Sequence, residues 1–318
     1  MEDTRRTYRG QDLACLVPTM DRPVRVRALL ESLVVQTVPC GRIMIVDGGE
    51  SIESLVAGFR DRLPVDYDRC TPPGQIRQRK LGLSMLDART PLVGFMDDDL
   101  VLEPDAVEEM IACWNRVAPE TAGIGFNIVS EPPRRGSLLA ALFLMGSAAP
   151  GRVLYSGYNT RMHNIESDTR TQWLGGGYTV WRRDVLDRHP QDELRTRWAI
   201  GEDLRYSYPI GKERPLYVCA SAKVHHMQEA ERIAPPADHR RRGRKGAVSL
   251  FYFAAQHPEL SRIACLWMLF GRCIGYCATG LVKFDAPVLH NGLGQLQALG
   301  ICIGSFFGLA DLRSVLED

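Results

Sequence analysis

The chain has 318 residues, 45% hydrophobic and 24% charged, and its 39 Lys and Arg against 38 Asp and Glu leave a net charge of +1. That length supports a full hydrophobic core, arranged as one large domain with an appendage, while the near-zero balance lacks the basic surface that nucleic acid requires and excludes that partner. Nine cysteines occur without a CxxC pair, and the opening segment Met1 to Gln11 is polar and charged rather than apolar. Free thiols in a reducing compartment are the expectation, with the protein in the cytoplasm or at the inner face of the cell membrane.

Along the chain, the apolar run Leu13–Val17 predicts a strand, followed by the turn Pro18-Thr19-Met20-Asp21-Arg22. A helix begins near Pro23, a residue suited to a first helical turn. Val26, Leu29, Leu30, Leu33 and Val34 then form one apolar stripe. Ile43–Val46 predicts a second strand ending in Asp47-Gly48-Gly49, and Ser54–Arg60 a helix. A third strand over Val65–Arg69, a helix over Gln75–Leu86 and a fourth strand over Leu92–Met96 follow. Asp105–Arg116 predicts a helix, Gly123–Val129 a fifth strand and Leu216–Val224 a later one. Such alternation predicts an α/β fold, a mostly parallel sheet with helices on both faces. Ligands of these sheets bind beyond the carboxyl ends of the strands, where Asp47 and Asp97–Asp99 are placed.

Three constellations carry chemistry. Asp97-Asp98-Asp99 follows the fourth strand directly. In an extended segment Asp97 and Asp99 share a face and Asp98 points away. Two converging carboxylates suit Mg²⁺ or Mn²⁺, which prefer oxygen ligands and complete their shell with substrate phosphates. The alternative is a helix cap by Asp98 or Asp99 ahead of Glu103-Pro104-Asp105. Glu202-Asp203 precedes the run Leu204–Tyr208, where an acid pair serves either proton transfer or the first turn of a helix. Gly175-Gly176-Gly177 admits either a close ligand or a tight turn.

The ordered set VPTMDRPVRVRALLESLVVQTVPCGRIMIVDGG, GQIRQRKLGL, PLVGFMDDDLVLEPDAVEEM, WLGGGYTVWRRDVL, GEDLRYSY and KVHH resembles family 2 glycosyltransferases of the GT-A fold over residues 12 to 226. The narrower likeness is to bacterial enzymes of cell-surface polysaccharide synthesis, including rhamnosyltransferase-like ones. The resemblance implies transfer of a sugar, with inversion, from a nucleotide-diphosphate sugar to a hydroxyl of a glycan or lipid-linked glycan. It implies donor contacts from Pro18, Thr19, Asp21, Asp47, Arg79, Asp97 and Asp98, and a metal held by Asp97, Asp99 and His225. It implies Asp203 as the base, with Trp173, Gly175, Gly176 and Glu202 on the acceptor side. Local alternatives stand beside these roles. Asp21 can cap the helix at Pro23, Asp47 can brace the Gly-Gly turn, Trp173 can belong to the core, and a histidine at a strand end can be hydrogen-bonded without a ligand.

Departures accompany the resemblance. Asp21 stands where many relatives have asparagine. Arg205 and Pro209 replace an acid and an arginine usual after the base, which predicts a shorter or kinked helix there. A non-catalytic sugar-nucleotide-binding descendant is the alternative that these two residues favour and the retained acids oppose. A sugar-phosphate nucleotidyltransferase requires a glycine-rich loop after the first strand, and Pro18–Arg22 holds no glycine.

Beyond a boundary near residue 232, residues 233–318 are expected to form a helical, membrane-associating region after the domain over residues 1–232. Gln228–His239 is polar and reads either as a lid over the donor or as a linker. Arg240–Lys245 holds five basic residues in six, and Ile263–Val282 is a 20-residue apolar stretch interrupted by Arg272. Gly292–Leu309 is a second weakly polar stretch. An interfacial helix with the basic run drawn to anionic headgroups, a true span and a soluble helical subdomain are the three readings; the first accommodates Arg272 best.

Overall fold

The computed structural model describes residues 6–131, 138–147, 149–193, 200–227 and 235–317. The chain divides into two compact units. One comprises Met1–Pro133, Met162–Glu193 and Tyr206–Gln228; the other Arg134–Arg161, Leu194–Arg205 and Glu229–Asp318. The division near the expected boundary is therefore joined by two earlier segments that belong with the C-terminal helices.

The first unit is a nine-stranded sheet. Its strands are β1 (Leu13–Thr19), β2 (Arg42–Asp47), β3 (Val65–Arg69), β4 (Leu92–Met96), β5 (Leu100–Leu102), β6 (Gly123–Ile128), β7 (Thr169–Thr171), β8 (Tyr178–Arg182) and β9 (Leu216–His226). The order is β3-β2-β1-β4-β8-β6-β9-β5, with β7 pairing β9. The half β3-β2-β1-β4 is parallel throughout, and β8 inserts antiparallel between β4 and β6. All seven residues of β1 and all five of β4 are buried, which is why both read as unbroken apolar runs rather than alternating ones. Pro18 sits in a central strand but beyond the last β1–β4 partners, Leu16 and Phe95, so its missing N–H costs that ladder nothing.

Helix α1 (Pro23–Val34) starts on its proline and buries Val26, Leu29, Leu30 and Leu33. Helices α2 (Glu53–Ala57), α3 (Gln75–Met85) and α4 (Ala106–Arg116) follow the next strands. The core gathers the apolar faces of α1, α2 and α4 with Ile43, Ile45, Phe126 and Val224 from the sheet.

In the second unit a short helix α5 (Leu138–Leu142) precedes three helices of 21 residues, α8 (Pro236–Gln256), α9 (Arg262–Val282) and α10 (Ala286–Phe306). Helix α6 (Arg183–Arg188) follows β8 in the first unit, and α11 (Leu312–Glu317) ends the chain. Helices α8 and α10 approach closely at glycines: a Cβ at Gly294 would lie 2.0 Å from the Arg240 carbonyl oxygen. The basic run 240–245 lies within α8, and periodicity divides it. Arg240 and Arg241 are exposed, whereas Lys245 is buried and donates to the Leu316 carbonyl at 3.1 Å. Residues 228–234 of the expected lid lie outside the described residues, and Pro236 to His239 form the first turn of α8.

Helix α7 (Glu202–Glu213) runs through Pro209 without interruption. The shortening expected from that proline is absent.

Candidate active site

Strand order reverses between β1 and β4, and the expected donor-side residues lie around the carboxyl ends of β1, β2 and β4. Such a switch point leaves a crevice between diverging loops.

Asp47, last in β2, is 1% exposed. Its Oδ1 accepts from the Gly49 amide at 2.8 Å and its Oδ2 from the Tyr67 hydroxyl at 2.8 Å. Bracing of the Gly-Gly turn is thus realised, with Tyr67 of β3 as a partner that the sequence reading did not include. Asp21 adopts φ 57° and accepts from the Glu50 amide at 2.9 Å. It ties the loop after β1 to the loop after β2 and does not cap α1, whose cap position is Arg22. Thr19 closes β1, and the Gln78 amide nitrogen donates to the carbonyls of Thr19 and Val46 at 2.8 and 2.7 Å, binding the two strand ends to α3.

The aspartate triplet forms a turn between β4 and β5 rather than an extended segment. Its three side chains consequently take separate partners. Asp97 Oδ1 accepts from Gln75 Nε2 at 3.1 Å and from Arg79 Nη2 at 3.2 Å. Arg79 is buried, its guanidinium 5.3 Å from the Phe95 ring centroid, so a buried cation is matched by a carboxylate and an aromatic face. Asp98 is buried, accepting from the Thr19 hydroxyl at 2.7 Å and from Arg22 Nη1 at 3.0 Å. Burial pushes the Asp98 carboxyl up to about 6, against the opposing pull of Thr19 and Arg22. Its observed role is to brace the turn from beneath.

Asp99 meets Arg25 Nη1 at 3.0 Å and His226 Nε2 at 3.2 Å. Burial opposes its ionisation, but the contact with His226 and the charges of His226, Arg25 and Arg22 outweigh it and hold the carboxyl below its usual range. The same contact with Asp99 raises His226, against the effect of its own burial. His226 also lies 3.8 Å from Glu131, which pairs with His163 at 3.0 Å.

The metal set of Asp97, Asp99 and His225 is not brought together. His225 turns to Glu103, 3.2 Å away, because successive residues of β9 face opposite sides of the sheet. In register, Leu100 pairs His226 and Val101 pairs His225, and His226 is the histidine beside Asp99. Among the described residues the compact group of soft and hard ligand atoms lies elsewhere, at Cys113, Asp168 and Cys219. There Asp168 is already engaged by Arg116 at 2.7 Å and by the Ala220 amide at 2.9 Å. A cavity of about 530 Å³ lined by Tyr8, Trp114, Arg182 and Arg183 lies at the opposite, amino-terminal end of β4.

Gly177 shows what the glycine triplet does. A Cβ there would fall 1.9 Å from Asp97 Cγ, and the Gly177 carbonyl accepts the Asp97 amide at 2.7 Å. Gly175 is similarly filled by the Tyr178 side chain, 2.3 Å from a would-be Cβ, and Gly176 is half-buried. Trp173 is buried, so its ring belongs to the core rather than to an open acceptor face.

The model of the family described as glycosyl transferase family 2 matches residues 14–188, from β1 to the end of α6 and more than half of the chain. The chain belongs to glycosyl transferase family 2. Solved structures of Staphylococcus aureus TarS residues 1–349 are similar to this glycosyltransferase, with TM-score 0.53 and 14% identity over 96% of this chain and 90% of that one. The same protein in complex with UDP-GlcNAc gives 0.55, and in complex with UDP 0.53, at the same identity and coverage. At that identity the likeness is one of fold, a GT-A-type α/β sheet with a C-terminal helical region. A comparison with curated protein sequences gives no match.

In the second unit of this glycosyltransferase, Glu202 and Asp203 open α7 after Gly201, which has φ 72° and a would-be Cβ 2.5 Å from Ser249 Oγ. Glu202 is buried and Asp203 half-buried. Gln75, Tyr67, Arg22 and Arg25 are the site neighbours that motif reading missed, and of the pair His225-His226 it favoured the first. For the arginines a signal was present: Arg22 and Arg25 are three apart at the start of α1, the spacing that places side chains on one helix face.

Proposed function

We propose that the chain transfers a sugar from a nucleoside diphosphate sugar to a hydroxyl of a glycan or lipid-linked glycan, with inversion and with help from Mg²⁺ or Mn²⁺. The observation that carries this is the gathering of Thr19, Asp47, Arg79 and the triplet Asp97–Asp99 around strand ends at the order reversal, in a chain of this family. The existence of a TarS complex with UDP-GlcNAc supports a nucleotide sugar as the donor class.

In this reading the loops after β1 and β2, tied by Asp21 and braced by Asp47, receive the nucleoside. Arg79 holds the Asp97 carboxylate in place and contributes positive charge toward the diphosphate. Asp203 removes the acceptor proton as the hydroxyl oxygen attacks the anomeric carbon, the nucleoside diphosphate departing from the opposite side.

The residues fit a hard divalent cation. Asp97 is about one-third exposed, and Asp99 Oδ1 is buried against the His226 ring without a well-aligned hydrogen bond. Asp97 and Asp99 would hold the ion with His226 as a nitrogen donor, and a bound ion would offset the charge of the leaving diphosphate.

The experiment is a thermal-shift panel of uridine, guanosine and deoxythymidine diphosphate sugars with Mn²⁺ or with EDTA. One donor at about 100-fold excess over its Kd should raise Tm by about 5 °C or more, with Mn²⁺ only. His226→Ala should weaken the Mn²⁺ response about tenfold, while His225→Ala leaves it unchanged. An equal shift in EDTA would overturn the metal assignment, and no shift across the panel with folded protein would overturn the donor assignment.

A further inference from the structure

The second unit displays an apolar surface that the reaction does not use. Helix α9 buries Cys265, Met268, Leu269 and Cys273, and turns its other side to solvent. That outer side carries Ile263, Trp267, Phe270, Ile274 and Leu281, spaced by four, three, four and seven residues, so they form one stripe. Its ends are strongly exposed, Ile263 at 75% and Leu281 at 62%. No exposed position between them is charged; Arg272 is only half-exposed.

Helix α5 enlarges the same surface. The Trp267 indole donates to the Leu142 carbonyl at 2.9 Å, and Phe143 packs on Trp267 with ring centroids 5.1 Å apart. The Phe143 ring occupies the space over Gly271, where a Cβ would lie 2.1 Å away. Thus docked, α5 presents Leu138, Leu139 and Leu142 outward, Leu138 at 93% exposure. Contiguous apolar surface of this kind marks a binding face rather than ordinary solvent-facing protein.

We infer that the α5–α9 face lies on the surface of an anionic lipid bilayer, with α9 in the membrane plane. Three observations select lipid over a second protein. The stripe is bracketed by exposed cations, Arg262 at its start and Lys283 at its end, with no acid between them. The apolar side chains stand out from helices instead of lining a groove, as an acyl–headgroup boundary accepts. Trp267, with its indole N–H satisfied by the Leu142 carbonyl, can enter the acyl–headgroup boundary without leaving a donor unpaired. Although α9 is long enough to cross a bilayer, a third of its apolar window is buried inside the protein. Because α9 packs on α10 and α10 on α8, crossing would draw in α10 and with it α8, whose Arg240 and Arg241 are exposed. The face contains none of the residues assigned to donor binding or catalysis, so its test is independent of the reaction.

The test is co-sedimentation of the full chain with phosphatidylcholine vesicles, with and without phosphatidylglycerol. The chain should sediment with the anionic vesicles and bind pure phosphatidylcholine about tenfold or more weakly. The double substitution Phe270→Glu with Ile274→Glu should weaken binding about 100-fold with circular dichroism unchanged. Arg262→Gln with Lys283→Gln should abolish the preference for phosphatidylglycerol, and this pair keeps the apolar stripe intact should the first variant misfold. Failure to sediment with either vesicle, or binding unaffected by both variants, would overturn the inference. So would a dimer in solution that Phe270→Glu dissolves without any lipid binding, which would assign the face to a second copy.

Discussion

Asp203→Asn should lower the turnover of sugar transfer by about 10²- to 10⁴-fold, with Kd for the donor changed less than about threefold. Asparagine preserves the shape of the side chain but cannot take a proton at the pH of the reaction. The helix supplies an internal control. Asp203 sits in the first turn of α7, where a carboxylate interacts favourably with the helix N-terminus by about 0.3–1 kcal/mol. If Asp203 were only a helix stabiliser, its replacement would lower Tm slightly and leave kcat near normal. A thermal melt beside a nucleoside diphosphate release assay separates the two roles, and near-normal turnover would sink the base assignment.

Gly177→Ala should reproduce the loss caused by Asp97→Ala in a protein that still folds. The new methyl carbon would occupy the position of the Asp97 carboxylate, 1.9 Å from Cγ. What must move is the end of a short side chain, so the fold can adapt at a cost of about 1–3 kcal/mol. The carboxylate, however, is held by Gln75 and Arg79, and leaving that position withdraws it from the buried Arg79 guanidinium. We expect transfer activity to fall at least about 100-fold and metal-dependent donor binding to disappear. Activity within a few-fold of wild type would show that the observed position of Asp97 is not the working one.

Much of the first unit was legible because β1, β2, β4 and β6 are buried on both faces, although the edge strand β3 is buried only at Val65. Val65–Arg69 and Leu92–Met96 match their predicted bounds, and β1, β2 and β6 differ only at their ends. Apolar runs between turn residues suffice when no face has to be chosen. Where a face had to be chosen, reading by motif was weaker. His225 matched the family position, but β9 buries Leu216, Val218, Ala222 and Val224. Continuing that alternation reaches His226, so period two held the information that motif order did not. The aspartate triplet failed for the opposite reason: alternation was assumed across a turn, where it does not apply. Strand β8 was hidden inside a motif read for its glycines, although Tyr178–Arg182 has the aromatic and β-branched content of a strand. Helix α10 begins at Ala286, six residues before the weakly polar stretch Gly292–Leu309, at a readable signature. Asp285 caps it by accepting from the Val288 amide at 3.1 Å, and Pro287 lies in its first turn. The partners of Asp98 and Asp47 were legible only in part, since Thr19 and Tyr67 come from the neighbouring strands β1 and β3, whose pairing motif order does not give.

The central claim is that this chain turns over a nucleotide sugar. The most direct measurement is nucleoside diphosphate release from purified protein given UDP-, GDP- and dTDP-sugars, Mn²⁺ and a membrane glycolipid extract as acceptor. Acceptor-dependent release is expected from one donor class, suppressed by EDTA and about 100-fold or more lower in Asp203→Asn. Tight donor binding with no release from any donor, in protein whose fold is verified, would contradict it and identify a sugar-nucleotide-binding protein instead.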